Sequence, residues 1–193
     1  MRKTRTLEPD YFEDLYRSDP DPWRFASSPY EAEKYARTLA ALGPDRVRSA
    51  LEVGCSIGVL TEQLAARCDR LVATEASPTA LDLARRRCAG ATNIDFRLQP
   101  SPHAPLGGPF DVILLSEVVY YWDDADLADF AGAFERVLAP RGRFILVHWL
   151  GETDYPKTAD EAVNAFRAAL EGAYSAERVE RTADYRLDVW RGR

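Results

Sequence analysis

Short apolar runs alternate with amphipathic stretches along most of the chain. The apolar runs predict five strands, at about 48–53, 70–75, 93–98, 110–116 and 142–149. The stretches between them predict three helices, at about 58–67, 78–89 and 124–138. The run FDVILLS is almost wholly apolar, as a strand buried on both faces must be. Strands that alternate with helices are typical of a mostly parallel sheet with helices on both faces, so we expect an α/β fold.

The segment after the fifth strand breaks this alternation. A helix is predicted at about 158–171, and two strand-like segments, SAERVERT and DYRLDVWRG, follow it. Only a short link joins these two segments. Because a parallel crossover needs about a dozen residues or more, we expect the segments to form an antiparallel hairpin.

The first 45 residues have a different pattern, aromatic and acidic with frequent prolines. Pro20 and Pro22 cannot continue a helix, because they lack amide protons and restrict the residues before them. The stretch PYEAEKYARTLAAL then predicts a helix over 29–42, which begins with a proline and ends before a glycine-proline pair. We therefore expect a single domain, with a helical cap over 1–45 and an α/β core over 46–193.

Composition narrows the classes of function. The chain has 25 Lys and Arg residues against 31 Asp and Glu residues, so we expect no nucleic-acid surface. Its three cysteines and two histidines lack the spacing of a disulfide framework or a metal site, so we expect neither. No apolar run reaches the roughly 18 residues of a membrane span, and the first residues do not form a secretory signal. We expect no membrane partner and a cytoplasmic location.

The first predicted strand runs into the loop of LEVGCSIGVL, residues 51–60. In open α/β sheets a ligand binds beyond the carboxyl ends of the strands, where the strand order reverses. Gly54 permits a tight turn, and Gly58 permits close backbone approach at the start of a helix whose amides face the ligand. A dinucleotide site needs GxGxxG, but Ser56 and Val59 replace two of its glycines. A turn without a ligand is the alternative.

An acidic residue ends the second predicted strand. Glu75 follows Gly54 by about 20 residues, where a carboxylate accepts hydrogen bonds from ribose hydroxyls. That position suits a dinucleotide and S-adenosylmethionine (SAM) alike, and an ordinary strand-end acid is the alternative. Ala76 is expected to contact the adenine, and Gln99 and Pro100, which end the third strand, are expected to border it.

The pattern E-x-G-x-S-x-G resembles motif I of class I SAM-dependent methyltransferases, in which the middle position is commonly a small residue. PFDVILLSEVVYYWDD and LAPRGRFILVHW resemble the fourth and fifth strands of that family, with Arg141 in place of a usual glycine. The resemblance implies a Rossmann-like fold with a seven-stranded sheet in the order 3-2-1-4-5-7-6. It also implies a set of residues around the methionine end of SAM: Glu52, Gly54, Ser56, Gly58, Ser116 and Glu117.

The stretch DPDPWRFASSPYEAEKYARTLAAL resembles the start of the nodulation protein S family, and EVVYYWDD and HWLGETDYPKTADE resemble its later parts. That family methylates the free amine of a partly deacetylated chitooligosaccharide. The resemblance implies SAM as methyl donor, S-adenosylhomocysteine (SAH) as product, and an amino sugar or similar small amine as acceptor. By the same resemblance Tyr30 closes over the cofactor's amino-acid end, and Trp23 lies at the acceptor cleft.

An amine attacks a methyl group only as the neutral base, so a nearby group has to take its proton. His148 ends the fifth predicted strand and is our candidate base, because its unperturbed pKa is about 6.5. Tyr120 is the second catalytic candidate. Tyr121 and Trp122 could face a cation or stack on a sugar ring. Each has a packing alternative: His148 as a hydrogen-bonded strand end, and one or two of the aromatic residues, with Trp23, as core.

Three other functions remain open from the sequence. An O-methyltransferase acting on a small natural product differs from the main hypothesis only in its acceptor. A nicotinamide-dependent oxidoreductase would need the missing glycines. A non-catalytic SAM-binding module would suit the departures at Ser56 and Arg141. The sequence does not identify the acceptor, the number of methyl groups transferred or the oligomeric state.

Overall fold

A computed structural model describes residues 2–99, 107–170 and 174–192. The helices are α1 (Pro9–Ser18), α2 (Pro29–Ala40), α3 (Val59–Ala65), α4 (Pro78–Arg87), α5 (Asp124–Val137) and α6 (Ala159–Ala169), and a short 3-10 helix covers Val119–Tyr121. The strands are β1 (Val47–Val53), β2 (Cys68–Glu75), β3 (Ile94–Leu98), β4 (Phe110–Ser116), β5 (Leu138–Trp149), β6 (Tyr174–Arg181) and β7 (Tyr185–Gly192). They form one seven-stranded sheet in the order β3-β2-β1-β4-β5-β7-β6, which confirms the expected fold class.

The chain divides by its contacts into two compact units, one over residues 8–101 and one formed by residues 2–7 with the chain from 102 onward. The first is called the N-terminal unit below and the second the C-terminal unit. The division of a single domain into a cap over 1–45 and a core over 46–193 stays a prediction.

The N-terminal unit contains a parallel three-stranded part of the sheet, in which β2 pairs with both β1 and β3. Its helix α2 begins where the sequence predicts, since Ser28 caps it and Pro29 occupies the first turn. Helix α1 was missed. The residues PDYFEDLYRS nevertheless form an amphipathic helix, in which Tyr16 is the one buried residue.

The C-terminal unit contains the parallel pair β4–β5 and the antiparallel pairs β5–β7 and β7–β6. The expected hairpin is therefore present. Strand β5 begins at Leu138, earlier than the predicted 142, because Leu138 pairs with Phe110 before the register shifts. Arg141 adopts a left-handed φ of 60° in that irregular stretch, which allows the strand to continue through what reads as a turn.

The core of the C-terminal unit contains a run of aromatic rings in stacked and edge-on contact. Trp122 stacks on Phe130 with ring centroids 3.9 Å apart, and Phe134 and Phe166 continue the contact toward Phe144 on β5. All five side chains are buried, so these aromatic rings supply a large part of the apolar area buried in that unit. Within the ranges that the structure describes, every helix is too short or too polar to cross a membrane.

Candidate functional site

The loop between β1 and α3 is built from three left-handed residues: Gly54 (φ 74°), Ser56 (φ 51°) and Gly58 (φ 83°). Glycine adopts this conformation without strain, whereas serine rarely does, so other contacts must hold Ser56. The amides of Gly54 and Cys55 both donate to the carbonyl oxygen of Thr74 at 2.9 Å, which fastens the loop to the end of β2. The loop is therefore fixed largely by main-chain hydrogen bonds.

Glu75, the last residue of β2, binds three backbone amides through its carboxylate. One oxygen, Oε2, accepts from Ser56 at 2.7 Å, and Oε1 accepts from Ala76 at 2.8 Å and from Ser77 at 3.0 Å. Burial raises the pKa of Glu75, and the three hydrogen bonds oppose that rise because they favour the charged form. The carboxylate thus ties the glycine loop to the start of α4.

Glu52 is a second buried acid in the same unit, and it precedes the loop on β1. Burial raises the pKa of Glu52 from 4.5 to about 7, the neighbouring hydroxyl of Thr61 opposes that rise, and the charge of Glu75 adds to it. Its Oε2 accepts no hydrogen bond from the residues that the structure describes. A buried carboxylate oxygen without a donor is costly, so this atom has capacity for a donor from a ligand.

Helix α1 holds the same loop from the other side, which sequence reasoning did not foresee. The hydroxyl groups of Tyr16 and Ser56 lie 2.5 Å apart, and burial raises the pKa of Tyr16 well above its ordinary value. Glu13, one turn earlier, accepts hydrogen bonds from Ser77 and Thr79 at the start of α4. We call these two contacts the α1 clasp. The sequence signal for this clasp was the polar residues at every third or fourth position of an amphipathic helix.

The other residues predicted in this unit occupy different surroundings. Trp23 is half-buried between Tyr16 and Phe25, with ring centroids 5.6 Å from each. The ammonium group of Lys34 lies 5.1 Å from the ring of Tyr30. Gln99 is half-buried, and its amide donates to the carbonyl oxygen of Glu75 at 2.7 Å. Pro100 lies outside the described residues.

In the C-terminal unit, the end of β4 carries an acid in an unusual conformation. Glu117 follows Ser116 with a left-handed φ of 58°, and its amide donates to the carbonyl oxygen of Val147 at 2.8 Å. Its Oε2 accepts from the hydroxyl of Tyr120 at 2.5 Å and from the amide of Trp149 at 2.9 Å. The strain of a left-handed glutamate is therefore offset by hydrogen bonds that orient its carboxylate.

His148 is fully buried beside this acid. Its Nε2 accepts a hydrogen bond from the amide of Val119 at 3.2 Å, so the neutral imidazole carries its proton on Nδ1. The ring of Tyr120 meets the imidazole edge-on at a centroid distance of 5.2 Å. This geometry favours the packing alternative, in which His148 orients the loop after β4.

Three tyrosines cluster next to Glu117. The ring of Tyr120 lies 4.8 Å from that of Tyr121 and 5.3 Å from that of Tyr155, and the other two rings are 4.8 Å apart. Burial, with the charge of Glu117 adding to it, raises the pKa of Tyr120 well above its ordinary value, so its hydroxyl stays protonated and donates to the carboxylate. Trp122 points instead into the aromatic core, where it stacks on Phe130.

Comparison with known proteins identifies the family. The model of the family described as nodulation protein S matches residues 9–148, which is most of the chain. The chain belongs to the nodulation protein S family. The resemblance stated from the sequence is thereby confirmed.

Several relatives share this match. The chain is 35% identical to a nodulation protein S of Rhizobium tropici over 65% of its own length and 53% of the relative's. It is 31% identical to that of Azorhizobium caulinodans over 72% of its own length and 69% of the relative's. The chain thus spans about half the length of the first of these relatives.

A solved structure has the same fold. The N-methyltransferase NodS of Bradyrhizobium japonicum, crystallised with SAH, superposes with a TM-score of 0.83 over 96% of this chain and 99% of that one. The two sequences are 23% identical, so this likeness supports the fold alone.

In this member of the nodulation protein S family, two residues near Glu117 were not among the site residues predicted from the sequence. Tyr155 lies in the segment after β5 and completes the tyrosine cluster. Trp149 ends β5, and its amide binds the Glu117 carboxylate. The available signal was the stretch HWLGETDYPKTADE, which the family resemblance had already marked.

Proposed function

We propose that this chain is a SAM-dependent methyltransferase that transfers a methyl group to the amine of an amino sugar or similar small molecule. The observation that carries the proposal is the Glu75 carboxylate, clamped across the amides of Ser56, Ala76 and Ser77 beneath a left-handed glycine loop. Membership in a family that includes a solved N-methyltransferase, NodS of Bradyrhizobium japonicum, supports the same conclusion.

The residues of the N-terminal unit fit the cofactor. We propose that Glu75 binds the ribose, that Ala76, Gln99 and Pro100 border the adenine, and that Tyr30 covers the amino-acid end. The donor-free Oε2 of Glu52 matches the ammonium group of a methionine moiety. A carboxylate can accept about four hydrogen bonds, and Glu75 already accepts three. Both ribose hydroxyls can therefore bind it only if one of the three amide hydrogen bonds breaks. When bound, SAM supplies an electrophilic methyl group.

We assign the remaining predicted residues to contact with the cofactor. Gly54, Ser56 and Gly58 bring the main chain close to the methionine moiety without side-chain bulk. Ser116 at the end of β4 lies in the position that the class resemblance assigns below the ligand. None of these residues is assigned a role in proton transfer.

The C-terminal unit carries the proposed acceptor chemistry. Glu117, which the class resemblance places at the methionine end of SAM, is assigned instead to the acceptor: its carboxylate attracts an ammonium group and takes a proton from it, which leaves the neutral amine. Tyr120 orients the carboxylate through its hydroxyl. Tyr121 presents its ring to the cation. His148, with Nε2 occupied by the Val119 amide, is assigned to positioning rather than to proton transfer.

A screen tests the function. The purified chain is incubated with SAM and a panel of amino sugars, polyamines and phenols, and mass spectrometry locates any added methyl group. We expect methylated amines and no methylated hydroxyls. Methylation confined to hydroxyl groups would replace the proposal by O-methylation, and SAM binding without turnover on the panel would favour a non-catalytic module.

A pair of variants tests the roles of the two candidate proton acceptors. Glu117→Gln should lower turnover by about 100-fold, because proton transfer by a positioned group contributes at least that much. Its dissociation constant for SAH should stay unchanged. His148→Gln should instead lower the melting temperature and leave the pH profile of turnover in place. A loss of the acidic limb of that profile in His148→Gln would restore His148 as the base.

A further inference from the structure

Trp149 is one of three large hydrophobic residues that stand exposed among the described residues, with 39% of its surface accessible. The residues before it on β5, from Phe144 to His148, are fully buried. Its strand partner on β7 is Tyr185, which is also buried. The chain therefore presents an indole to solvent at the carboxyl end of an otherwise buried strand, where ligands bind in α/β folds.

The indole is braced by a glycine. A Cβ atom built on Gly151 would overlap the indole atoms Cζ2, Cη2 and Cε2 of Trp149. Only a residue without a side chain permits this close approach of backbone to ring, so Gly151 supports the benzo ring from behind. A braced aromatic ring loses little freedom when a second flat surface stacks on its open side.

The same residue is joined to an acid. The Trp149 amide donates to Glu117 Oε2 at 2.9 Å, and Tyr120 donates to the same oxygen at 2.5 Å. The ends of the paired strands β4 and β5 thus carry an oriented carboxylate and an exposed flat ring, on two residues that one hydrogen bond joins. An amino sugar has the matching pair of features, a pyranose ring with an apolar face and an ammonium group.

We propose that Trp149 is the platform on which the pyranose ring of the acceptor stacks, while Glu117 receives its amine. This inference rests on the proposed function and assigns a residue that positions its acceptor. A linear polyamine would use the carboxylate and leave the indole uncovered. A phenol would stack on the indole and leave the carboxylate without a cation. Only a cyclic amine uses both groups.

Calorimetry with the SAH-saturated protein tests the platform, with a β-1,4-linked glucosamine tetramer and spermidine as probes. Trp149→Ala should raise the dissociation constant for the tetramer about tenfold, as loss of a central tryptophan contact does, and leave those for spermidine and SAH unchanged. Trp149→Phe should keep most of the affinity for the tetramer. Gly151→Ala should weaken tetramer binding with the indole still present, because the added methyl group displaces it.

Two controls match these variants. Gly90→Ala adds the same methyl group where nothing lies within 4 Å, and Val179→Ala removes another exposed apolar side chain. Both should bind the tetramer like the parent chain.

The outcomes separate the inference from the function on which it rests. Equal tetramer affinity in the parent and Trp149→Ala overturns the platform, and methyl transfer to amines by the parent would then still support the function. An equal weakening for spermidine overturns it as well, since Trp149 would then act only by holding Glu117. A parent that binds no tetramer removes the inference, and a parent that methylates no amine removes the proposed function.

Discussion

The candidate residues of the N-terminal unit and those of the C-terminal unit differ in what holds them. In the N-terminal unit the glycine loop and Glu75 are held by backbone amides, and the α1 clasp adds two side chains. In the C-terminal unit the carboxylate of Glu117 accepts one hydrogen bond from the Trp149 amide and one from the Tyr120 side chain, and Tyr120 packs on Tyr121. Backbone groups persist when side chains change, whereas an aromatic cluster changes with each substitution. The contrast suits a constant cofactor on one unit and a variable acceptor on the other.

The largest expected effect separates the core of the C-terminal unit from its surface. Trp122→Ala should lower the free energy of unfolding by about 3–5 kcal/mol, because it leaves a cavity beside Phe130. Urea unfolding measures this loss, and Trp149→Ala, which removes an exposed indole, is the matched control. If Trp122→Ala weakened acceptor binding and kept its stability, Trp122 would belong to the acceptor site as the sequence suggested.

The second effect concerns the pH dependence of stability. The pKa of Glu52 is raised from 4.5 in the ordinary state to about 7 in the folded state, so folding favours its protonated form. Its contribution to stability is present below pH 4.5 and is lost as the pH rises to about 7, by about 3 kcal/mol in all. Glu52→Gln should therefore gain stability over the parent at pH 7.5 and little at pH 4.5. Equal pH slopes in urea unfolding of the two proteins would contradict this.

The third effect tests the residues of the N-terminal unit that backbone amides hold. Glu75→Ala should raise the dissociation constant for SAH by about 100-fold, because charged hydrogen bonds to the ribose are lost and three amides lose their acceptor. Calorimetry measures it, with Glu62→Ala, an exposed acid of the same unit, as control. Unchanged SAH affinity in a folded Glu75→Ala protein would refute the ribose assignment.

The smallest effect tests the α1 clasp. Tyr16→Phe removes the hydroxyl that contacts Ser56 and should raise the dissociation constant for SAH about fivefold, as the loss of one neutral hydrogen bond does. In a double-variant cycle with Ser56→Ala, the second change should add little, because both remove the same bond. Additive effects would mean that the two residues act independently, and the clasp would then have no part in shaping the loop.

Much of the fold follows from local pattern. The alternation of apolar runs with helical stretches predicts the strand positions, and the short link between the last two segments predicts their antiparallel pairing. Glu75 and the glycine loop were found because each stands at a strand end, a feature that sequence spacing shows. Helix α1 was missed although it is amphipathic, and its contacts, Tyr16 with Ser56 and Glu13 with the start of α4, join residues far apart in sequence.

The sequence by itself determined the order of the elements, the family and the acidic strand ends, because these depend on residues close together along the chain. Only the tertiary structure decided which aromatic side chains are core and which are surface. Trp122 follows one apolar strand and Trp149 ends another, yet the first stacks on Phe130 and the second lies exposed against Gly151. Likewise His148 is buried by the loop after β4, whose Val119 amide occupies its Nε2. Such differences arise from packing partners far away in sequence, which no local pattern contains.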